Sequence, residues 1–395
     1  MTTLAALPTT MRAAVLYDVD DIRIEPRSMP ALEPGDVLVR TGASGVCSGD
    51  LMPWYVRRKA PFVFGHEPAG TIVAIGGDES ALARNGRPFA LGDRIFAHHH
   101  APDLTCDECL AGRYVHCKIW RATALDPGGM AEYFRVPRAN LADTLVLPAH
   151  ISFEDGSLVE PLACVVKSLR RALPITIERR LSRASPAVEA TASNGAVESM
   201  QTAIVAAADG LRGVSLYVIG AGVMGLMHVA VAARLGATVF ASDFHPMRRE
   251  AALRLGAVAA FAPDEALAAL RDSTRGVGAR VVICGPGSPA ALAHGIEATA
   301  CDGTLLMFTP IAPDERFAFD QSAAYFRDLR LASSYSCGPD DTVESLALIA
   351  AGIVTAERLG AVTFDFPAVG EAYAQMKAAT VIKAIVTFPN PEPLS

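Results

Sequence analysis

The sequence lacks any excess of basic residues. Its 395 residues include 35 Lys and Arg against 42 Asp and Glu, so the formal net charge at pH 7 is −7. Proteins that bind nucleic acid need a basic surface to neutralise phosphates, so no nucleic-acid partner is expected. The chain also starts without a basic segment followed by an apolar core, which predicts no secretory signal. We therefore expect a cytoplasmic protein with a small-molecule partner and no membrane association.

Charged residues are also scarce, at 19%, whereas hydrophobic residues make up 51% of the chain. This balance excludes global disorder and allows a large core, which at roughly 150 residues per domain would be divided among two or three domains. The longest uncharged stretch, residues 213–233, superficially resembles a membrane span. Three of the eight cysteines cluster at the spacing of metal ligands, and this favours metal chemistry in a reducing compartment over disulfides.

The pattern of apolar residues divides the chain into two kinds of structure. The first third contains short alternating runs bounded by Gly, Pro or Asp, which is typical of a β-rich domain. From Val214 onward, short apolar strands alternate with helical segments, which predicts a parallel sheet covered on both faces. Residues 174–199 show little apolar periodicity and are predicted to be an exposed loop or linker, with a helix following from Met200.

A glycine motif explains the uncharged stretch. Gly220-Ala-Gly222-Val-Met-Gly225 follows a predicted strand and opens a helix, and Asp243 closes the next strand near the expected spacing of about 20 residues. The free N–H groups at the helix start would bind a pyrophosphate, and Asp243 would accept hydrogen bonds from a ribose diol. Asp243 favours NAD over NADP, and Arg248 and Arg249 weaken that preference. The candidate cofactor residues are Gly220, Gly222, Val223, Met224, Gly225, Asp243 and Arg248.

Two other interpretations of the glycine motif are open. The same fold could bind a flavin or another nucleotide, or the site could be vestigial.

A second set of residues combines metal-ligating chemistry. Cys47 lies in GVCSGD, His66 and Glu67 lie in GHEPAG, and Glu160 lies in VEPLAC. A thiolate, an imidazole and a carboxylate suit tetrahedral Zn²⁺ with one position open for water or substrate. Each residue alone also has a structural interpretation, as a buried cysteine, a turn histidine or a helix-capping glutamate. Beside a dinucleotide site, the metal interpretation is favoured.

With these motifs the sequence resembles the zinc-dependent medium-chain dehydrogenases, the family of alcohol, polyol and threonine dehydrogenases. The resemblance extends from Met11 to Phe388, and the EPLAC motif is closer to the polyol and threonine branch. It implies an α/β protein with a GroES-like β-rich catalytic domain, residues 1–165 and 335–395. It also implies a doubly wound Rossmann nucleotide-binding domain, residues 166–334, with an inserted loop at about 174–199. A homodimer or homotetramer is the implied assembly.

The resemblance also implies roles for individual residues. The catalytic zinc would be held by Cys47, His66 and either Glu67 or Glu160, the two carboxylates exchanging with water during turnover. Asp50 would orient His66, and Lys383 would reach the cofactor pyrophosphate.

The pocket is less well defined by the resemblance. Cys164 would lie near the nicotinamide or simply in the core. Met52, Trp54, Tyr55 and Trp120 would line the substrate pocket or serve only in packing.

The sequence departs from the family pattern at the proton relay. Two residues after the zinc-binding cysteine the family carries Ser or Thr, whereas this chain has Gly49, preceded by Ser48. Either Ser48 takes over the relay, or the proton leaves through Glu67, a water molecule or a substrate hydroxyl.

The structural-zinc lobe is altered as well. Where the family has four cysteines, this chain has Asp103, Cys106, Cys109 and Cys117. Asp oxygen is an allowed zinc ligand, so a second, structural zinc is predicted. The alternative is a metal-free lobe with three free thiols. His116 and the run His98–His100 are possible substitute ligands, although a place at a strand end is the favoured role for the run.

The function implied is reversible oxidation of a secondary alcohol, of polyol, sugar or amino-alcohol type, to a ketone. Zinc would act as a Lewis acid on the substrate hydroxyl, and hydride would pass to NAD. One alternative is an epimerase or lyase on the same fold that retains NAD and returns the hydride within one turnover. Another is a scaffold-type relative without enzymatic activity.

Overall fold

The computed structural model describes residues 2–3, 7–77, 81–84, 86–173 and 210–388. The loop predicted at 174–199 and the helix predicted from Met200 lie outside this part of the chain. No helix within it is long and apolar enough to cross a bilayer. The uncharged stretch 213–233 instead contains a strand, a glycine turn and most of a helix.

The N-terminal and C-terminal parts of the chain share a mixed eight-stranded sheet, and the N-terminal part also forms a smaller three-stranded sheet. The strands of the N-terminal part are β1 (Thr2–Thr3), β2 (Thr10–Asp18), β3 (Asp21–Ser28), β4 (Val37–Gly45), β5 (Phe62–Val63), β6 (Pro68–Ile75), β7 (Arg94–Ala97), β8 (Tyr133–Val136) and β9 (Thr144–Val146). Strands β2, β3 and β5 form the small sheet. Along β2 and β6 most side chains are buried, because apolar residues occupy consecutive positions between two packed layers.

Short helical segments connect these strands. They are the α-helices α1 (Pro53–Arg57), α2 (Asp107–Leu110) and α3 (Phe153–Gly156), with 3₁₀ turns at Ser48–Leu51, Tyr114–His116 and Arg138–Asp143. The strands and short helices together form the β-rich part that the sequence predicts.

The middle of the chain forms a second sheet of six parallel strands. They are β10 (Ser215–Ile219), β11 (Thr238–Ser242), β12 (Ala259–Phe261), β13 (Ala279–Cys284), β14 (Thr299–Met307) and β15 (Arg330–Ser333), in the order β12-β11-β10-β13-β14-β15. Helices alternate with them: α5 (Val223–Arg234), α6 (Pro246–Arg254), α7 (Ala266–Ser273), α8 (Pro289–Ala298) and α9 (Gln321–Phe326). The predicted Rossmann-type fold is confirmed, and its strand order reverses between β10 and β13, where such sheets bind ligands.

The last part of the chain returns to the first sheet. After β15 come α10 (Pro339–Ala350), α11 (Ala356–Leu359), β16 (Val362–Asp365), a 3₁₀ turn at Phe366–Ala368, α12 (Val369–Lys377) and β17 (Ala384–Thr387). Strand β17 pairs with β4, so the C-terminal segment lies in the sheet that also carries the first strands. Helix α10 starts at Pro339, where Asp341 accepts the Gly338 N–H at 2.9 Å and caps the first turn.

One long helix links the two parts. Helix α4 (Val159–Ala172) is continuous across the predicted boundary between residues 165 and 166, so that limit falls within a helix. Its apolar side chains share one core cluster with α5, α10 and the parallel sheet. On α10, the Ser345 hydroxyl donates to the Val159 carbonyl at 2.7 Å. The exact domain limits stay a prediction, but α4 belongs to both packing layers.

Candidate active site

The first cluster forms where two paired strands end. Cys47 follows β4 and begins a 3₁₀ turn, where its Sγ accepts the Gly49 N–H at 3.3 Å. His66 and Glu67 precede β6, the strand that pairs with β4. The ligand atoms of Cys47, His66 and Glu67 all lie within 4.8 Å of one another. These residues are far apart in the sequence, and strand pairing brings them together.

The donor chemistry of this cluster fits a divalent metal such as zinc. Glu67 Oε1 and Asp50 Oδ2 are buried and have no hydrogen-bond partner among the described residues. Asp50 Oδ2 lies 3.5 Å from His66 Nδ1, in the position from which a carboxylate orients a ligating imidazole. Burial raises the pKa of the Cys47 thiol, although His66 opposes this. A bound cation would stabilise the thiolate and the carboxylates together.

Lys383 lies beside the first cluster. Its ammonium group is buried, forms an ion pair with Glu67 Oε2 and donates to the Val46 carbonyl at 2.9 Å. Its assignment to the cofactor pyrophosphate stays a prediction. Gly45 makes room for this pair, since a Cβ there would collide with the Glu67 carboxylate and the end of Lys383. Lys383 contacts these groups because it directly precedes β17, and the pairing of β17 with β4 directs its side chain toward Val46.

Glu160 lies in a different group of ligands from Glu67. It occupies the first turn of α4, is 5% exposed, and clusters with His98 and Cys337, whose ligand atoms lie within 4.8 Å of its own. One turn later, the Cys164 thiol lies 3.6 Å from Glu160 Oε1. Of the two carboxylates expected as alternatives on the catalytic zinc, the structure groups Glu67 with Cys47 and His66. That either binds zinc stays a proposal.

Two histidines near these clusters were assigned to a strand end by the sequence reasoning. His98 directly follows β7, and its Nδ1 lies 2.6 Å from Asp143 Oδ2. The His99 ring lies 4.9 Å from the His66 ring between centroids. Burial, together with the positive charges of nearby histidines, lowers the pKa of His99 well below its usual value, which favours a neutral imidazole. In the sequence, only the run of three histidines could have indicated that these rings lie near the candidate metal ligands.

The glycine motif forms the expected strand–turn–helix. Gly220 has φ +85°, a conformation that favours glycine, and Gly222 caps the start of α5. A Cβ on Gly225 would collide with the Gly220 carbonyl oxygen, so the helix approaches the strand this closely only with glycine there. The free N–H groups at the start of α5 are therefore available to an anion.

Asp243 lies at the end of β11, beside this turn. Its Oδ2 accepts the Ala221 N–H at 2.9 Å and its Oδ1 accepts the His245 N–H at 2.8 Å. Arg248 Nη1 lies 3.7 Å from Oδ2, whereas Arg249 donates to the Asp243 carbonyl at 2.8 Å. These bonds hold the carboxylate in place and leave Arg248 as the cation nearest to it.

A cavity of about 590 Å³ lies along the glycine turn and reaches toward the first cluster. It extends from Gly222 and Asp243 to Ser48, the residue that follows Cys47. Its lining includes Ser48, Gly220, Gly222, Val223, Met224, Gly225, Asp243 and Arg248. A dinucleotide bound along this cavity would have one end at the glycine turn and the other beside the Cys47 cluster.

The aromatic residues suggested for a substrate pocket do not line this cavity. Trp120 is buried, and its ring packs against His100 and Tyr335 at centroid distances of 4.3 and 5.9 Å. Trp54 and Tyr55 contact each other edge to face at 5.9 Å. Packing explains these rings, and the structure assigns Trp120 no exposed surface for a substrate.

The altered lobe brings its four candidate ligands together. The ligand atoms of Asp103, Cys106, Cys109 and Cys117 lie within 4.8 Å of one another. The Asp103 N–H points to Cys117 Sγ at 3.5 Å, and the Sγ atoms of Cys106 and Cys109 are 3.5 Å apart.

Asp103 is well suited to take the place of a cysteine in this lobe. Its Oδ1 accepts the N–H groups of Thr105 and Cys106, and these bonds hold the pKa of its carboxyl well below the usual range. His116 and His98–His100 are not in this cluster.

Comparison with known proteins adds family information to this geometry. Residues 33–147 match the family model of the alcohol dehydrogenase GroES-like domain, and residues 223–351 match that of zinc-binding dehydrogenases. A probable D-xylulose reductase A of Neosartorya fischeri is 27% identical over 388 residues, covering 94% of this chain and 95% of that protein. A sorbitol dehydrogenase of Bacillus subtilis is 26% identical over 370 residues, covering 89% and 90%.

A solved structure shows the same fold. A putative zinc-binding dehydrogenase from Sinorhizobium meliloti, bound to NADP, superposes with a TM-score of 0.76 at 24% sequence identity. The match covers 96% of this chain and 100% of that one.

We predict that the altered lobe holds a structural zinc. Asp103→Asn would keep an oxygen acceptor for the two N–H groups but remove the negative charge, and Cys109→Ser would remove a soft ligand. Each variant should lose about one zinc equivalent per chain relative to the wild type, as measured by elemental analysis. Cys301→Ser, at an exposed thiol outside the lobe, is the matched control. Equal zinc in all four proteins would show that the lobe is metal-free.

Proposed function

Because the chain belongs to the zinc-dependent medium-chain dehydrogenase family, we propose that it reversibly oxidises a secondary alcohol of polyol type to a ketone. The observation that carries this proposal is the cavity that extends from the glycine turn to Ser48, beside Cys47. It provides one continuous site for a nicotinamide cofactor and a substrate next to a metal cluster. The relatives' names, D-xylulose reductase and sorbitol dehydrogenase, favour a polyol and its ketose as the substrate pair.

Cys47, His66 and Glu67 are the residues that would hold the catalytic zinc. Bound there, Zn²⁺ would supply Lewis acidity that lowers the pKa of a substrate hydroxyl. Glu67 Oε1 is the free oxygen of its carboxylate, since Oε2 is paired with Lys383. Asp50 would orient the His66 ring and fix which nitrogen faces the metal.

The remaining tasks fall to residues along the cavity. The start of α5 would bind the pyrophosphate through its N–H groups, and Asp243 would bind the adenosine ribose. Ser48 is exposed to the cavity, so its hydroxyl is available to exchange a hydrogen bond with the substrate oxygen and to relay its proton. This arrangement would replace the relay that Gly49 has removed.

We also propose that NAD is preferred over NADP. The Asp243 carboxylate is held by two backbone N–H groups at the end of β11, where it would repel a 2′-phosphate. Arg248 is the nearby cation that would favour NADP. A homodimer or homotetramer and a cytoplasmic location stay predictions.

The central test is a panel of polyols, secondary alcohols and amino alcohols assayed with NAD and with NADP. The wild type should reduce the cofactor with at least one polyol. Cys47→Ser should lower kcat/KM by at least about 100-fold, because the soft anionic ligand is lost. Cys301→Ser should retain activity. Undiminished activity in Cys47→Ser, with its metal retained, would refute the metal-dependent function.

The same assay distinguishes the epimerase or lyase alternative. Conversion of a substrate without net cofactor reduction would indicate an enzyme that retains NAD and returns its hydride. Net reduction in proportion to ketone formed would indicate the dehydrogenase.

Cofactor choice is tested at Asp243. Asp243→Asn keeps the side-chain volume but removes the charge, and it should lower kcat/KM for NAD by about 10–100-fold, the effect of losing a charged hydrogen bond. Activity with NADP should fall less or rise. Arg248→Gln is the complementary variant, expected to weaken NADP while leaving NAD nearly unchanged. A wild type that prefers NADP would overturn this assignment.

A further inference from the structure

We propose that Arg58, Lys59 and Arg121 form a cationic surface at the approach to the Cys47 cluster, and that the substrate is a polyol carrying an anionic group, a phosphate or a carboxylate. The inference rests on the proposed function and names its substrate class. All three side chains are exposed, although the formal net charge of the whole chain is −7. Cations gathered at one place on an acidic protein attract anions locally.

Arg58 and Lys59 lie a short distance along the chain from the metal cluster. The 3₁₀ turn that begins after Cys47 leads into α1, and the two basic residues directly follow that helix. The Tyr55 ring lies beside both: its centroid is 3.9 Å from Lys59 Nζ and 5.9 Å from the guanidinium carbon of Arg58. Lys59 also hydrogen-bonds the Tyr55 hydroxyl. The two cations are therefore held around one aromatic ring.

A row of packed rings leads from the metal cluster to Arg121. The centroids of His66 and His99 are 4.9 Å apart, those of His99 and His100 are 4.2 Å apart, and those of His100 and Trp120 are 4.3 Å apart. Arg121 directly follows Trp120 and is exposed, whereas Trp120 is buried. Arg121 therefore lies at the solvent end of this row.

Tyr335 lies between the two parts of the cationic surface. Its ring packs against Trp120 at a centroid distance of 5.9 Å, and 58% of the residue is exposed. Burial raises the pKa of its hydroxyl, and the charges of Arg121 and Arg58 oppose this. Both guanidinium groups are therefore near enough to act on the same hydroxyl.

Lys59 lies near the row of rings as well. Burial, the neighbouring histidines and the positive charge of Lys59 all lower the pKa of His99, so the ammonium group is within electrostatic range of a ring that packs against His66. The His66 side chain is 21% exposed, and Cys47 is partly exposed. A substrate bound at the metal cluster would therefore lie near the Lys59 ammonium group.

The cationic surface has no carboxylate partners of its own. Arg57, the last residue of α1, pairs with Asp18 at 3.1 Å. By contrast, no ion pair joins Arg58, Lys59 or Arg121 to an Asp or Glu in the part of the chain that the structure describes. These side chains also do not line the cavity assigned to the cofactor. Their charge is therefore available to a substrate.

The chemistry of these groups selects phosphate or carboxylate. A guanidinium group binds either anion through two parallel hydrogen bonds, and an ammonium group adds a point charge. An anionic group held at the cationic surface would orient the rest of the polyol, so that a hydroxyl reaches the metal cluster. A neutral polyol lacks this anchor, so the difference should appear in kcat/KM.

The first experiment assays five- and six-carbon polyols with saturating cofactor. Each is compared as the free polyol, as its terminal phosphate and as the corresponding aldonate. At least one charged form should have a kcat/KM about 10-fold or more above that of its neutral polyol, and the better of the two charged forms identifies the anion. Higher kcat/KM for the neutral polyols throughout would overturn the inference and leave the dehydrogenase function intact. Oxidation of no compound would contradict the proposed function, and with it this inference.

The second experiment removes the charges one at a time. Arg58→Gln, Lys59→Gln and Arg121→Gln should each lower kcat/KM for the charged substrate about 3–10-fold, mainly through KM, because each removes one partially solvated contact. The triple variant should lose about 30-fold or more. Activity with a neutral polyol should stay within about 2-fold of the wild type. Equal losses with charged and neutral substrates, or none with either, would overturn the inference.

Two controls separate local charge from net charge and from packing. Arg57→Gln removes a positive charge that Asp18 already neutralises, and it should leave both activities unchanged. Lys59→Arg keeps the charge and should retain most of the activity with the charged substrate. A loss in Arg57→Gln as large as in Arg58→Gln would show that net charge, not this surface, is responsible.

Salt gives a readout that needs no loss of activity. The Debye length falls from about 10 Å at 0.1 M ionic strength to about 3 Å at 1 M. At saturating cofactor, kcat/KM for the charged substrate should fall across this range more steeply in the wild type than in the triple variant. The neutral polyol should show little change. The same slope in both proteins would overturn the inference.

Discussion

The buried pair of Lys383 and Glu67 is the interaction on which the candidate active site depends. Lys383 directly precedes β17, donates to the Val46 carbonyl and pairs with Glu67. Val46 is adjacent to Cys47 and Glu67 is adjacent to His66, so one ammonium group holds the Val46 carbonyl and the Glu67 carboxylate beside the Cys47 cluster. A buried ion pair contributes little net stability, but removing one partner leaves an uncompensated charge. The pair therefore serves to orient these groups, and it connects the C-terminal strand β17 to the candidate active site.

Sequence reasoning predicted most of what is encoded locally. The alternation of strands and helices after Val214 predicted the parallel sheet, because the spacing of apolar residues and the residues that end each element are properties of short segments. The glycine motif predicted the turn before α5, since its residues are contiguous. The four lobe residues are close in sequence, and the structure groups them as expected. The predicted limit between residues 165 and 166 falls within α4 and stays a prediction, because a helix that packs against both parts carries no sequence signal where one part ends.

The partners of buried polar side chains could not be predicted in the same way. Lys383 was assigned to the cofactor, and only the pairing of β17 with β4 shows that it points to Glu67. His98 and Cys337 are separated by most of the chain, and they meet because α10 packs against α4 beside the end of β7. Such contacts follow from tertiary packing, which residue spacing does not report.

The fold distinguishes Glu67 from Glu160, the two carboxylates that the sequence left as alternative ligands of one metal. Glu67 precedes a strand and has a lysine on one oxygen, so only its other oxygen is available to a metal at Cys47. Glu160 opens a helix that packs against α10, and this brings it to His98 and Cys337. Both clusters collect anionic donors with low exposure, and each gathers ligands from segments that meet only in the folded protein. Metal binding by Cys47, His66 and Glu67 would therefore be coupled to folding, because the unfolded chain does not bring these ligands together.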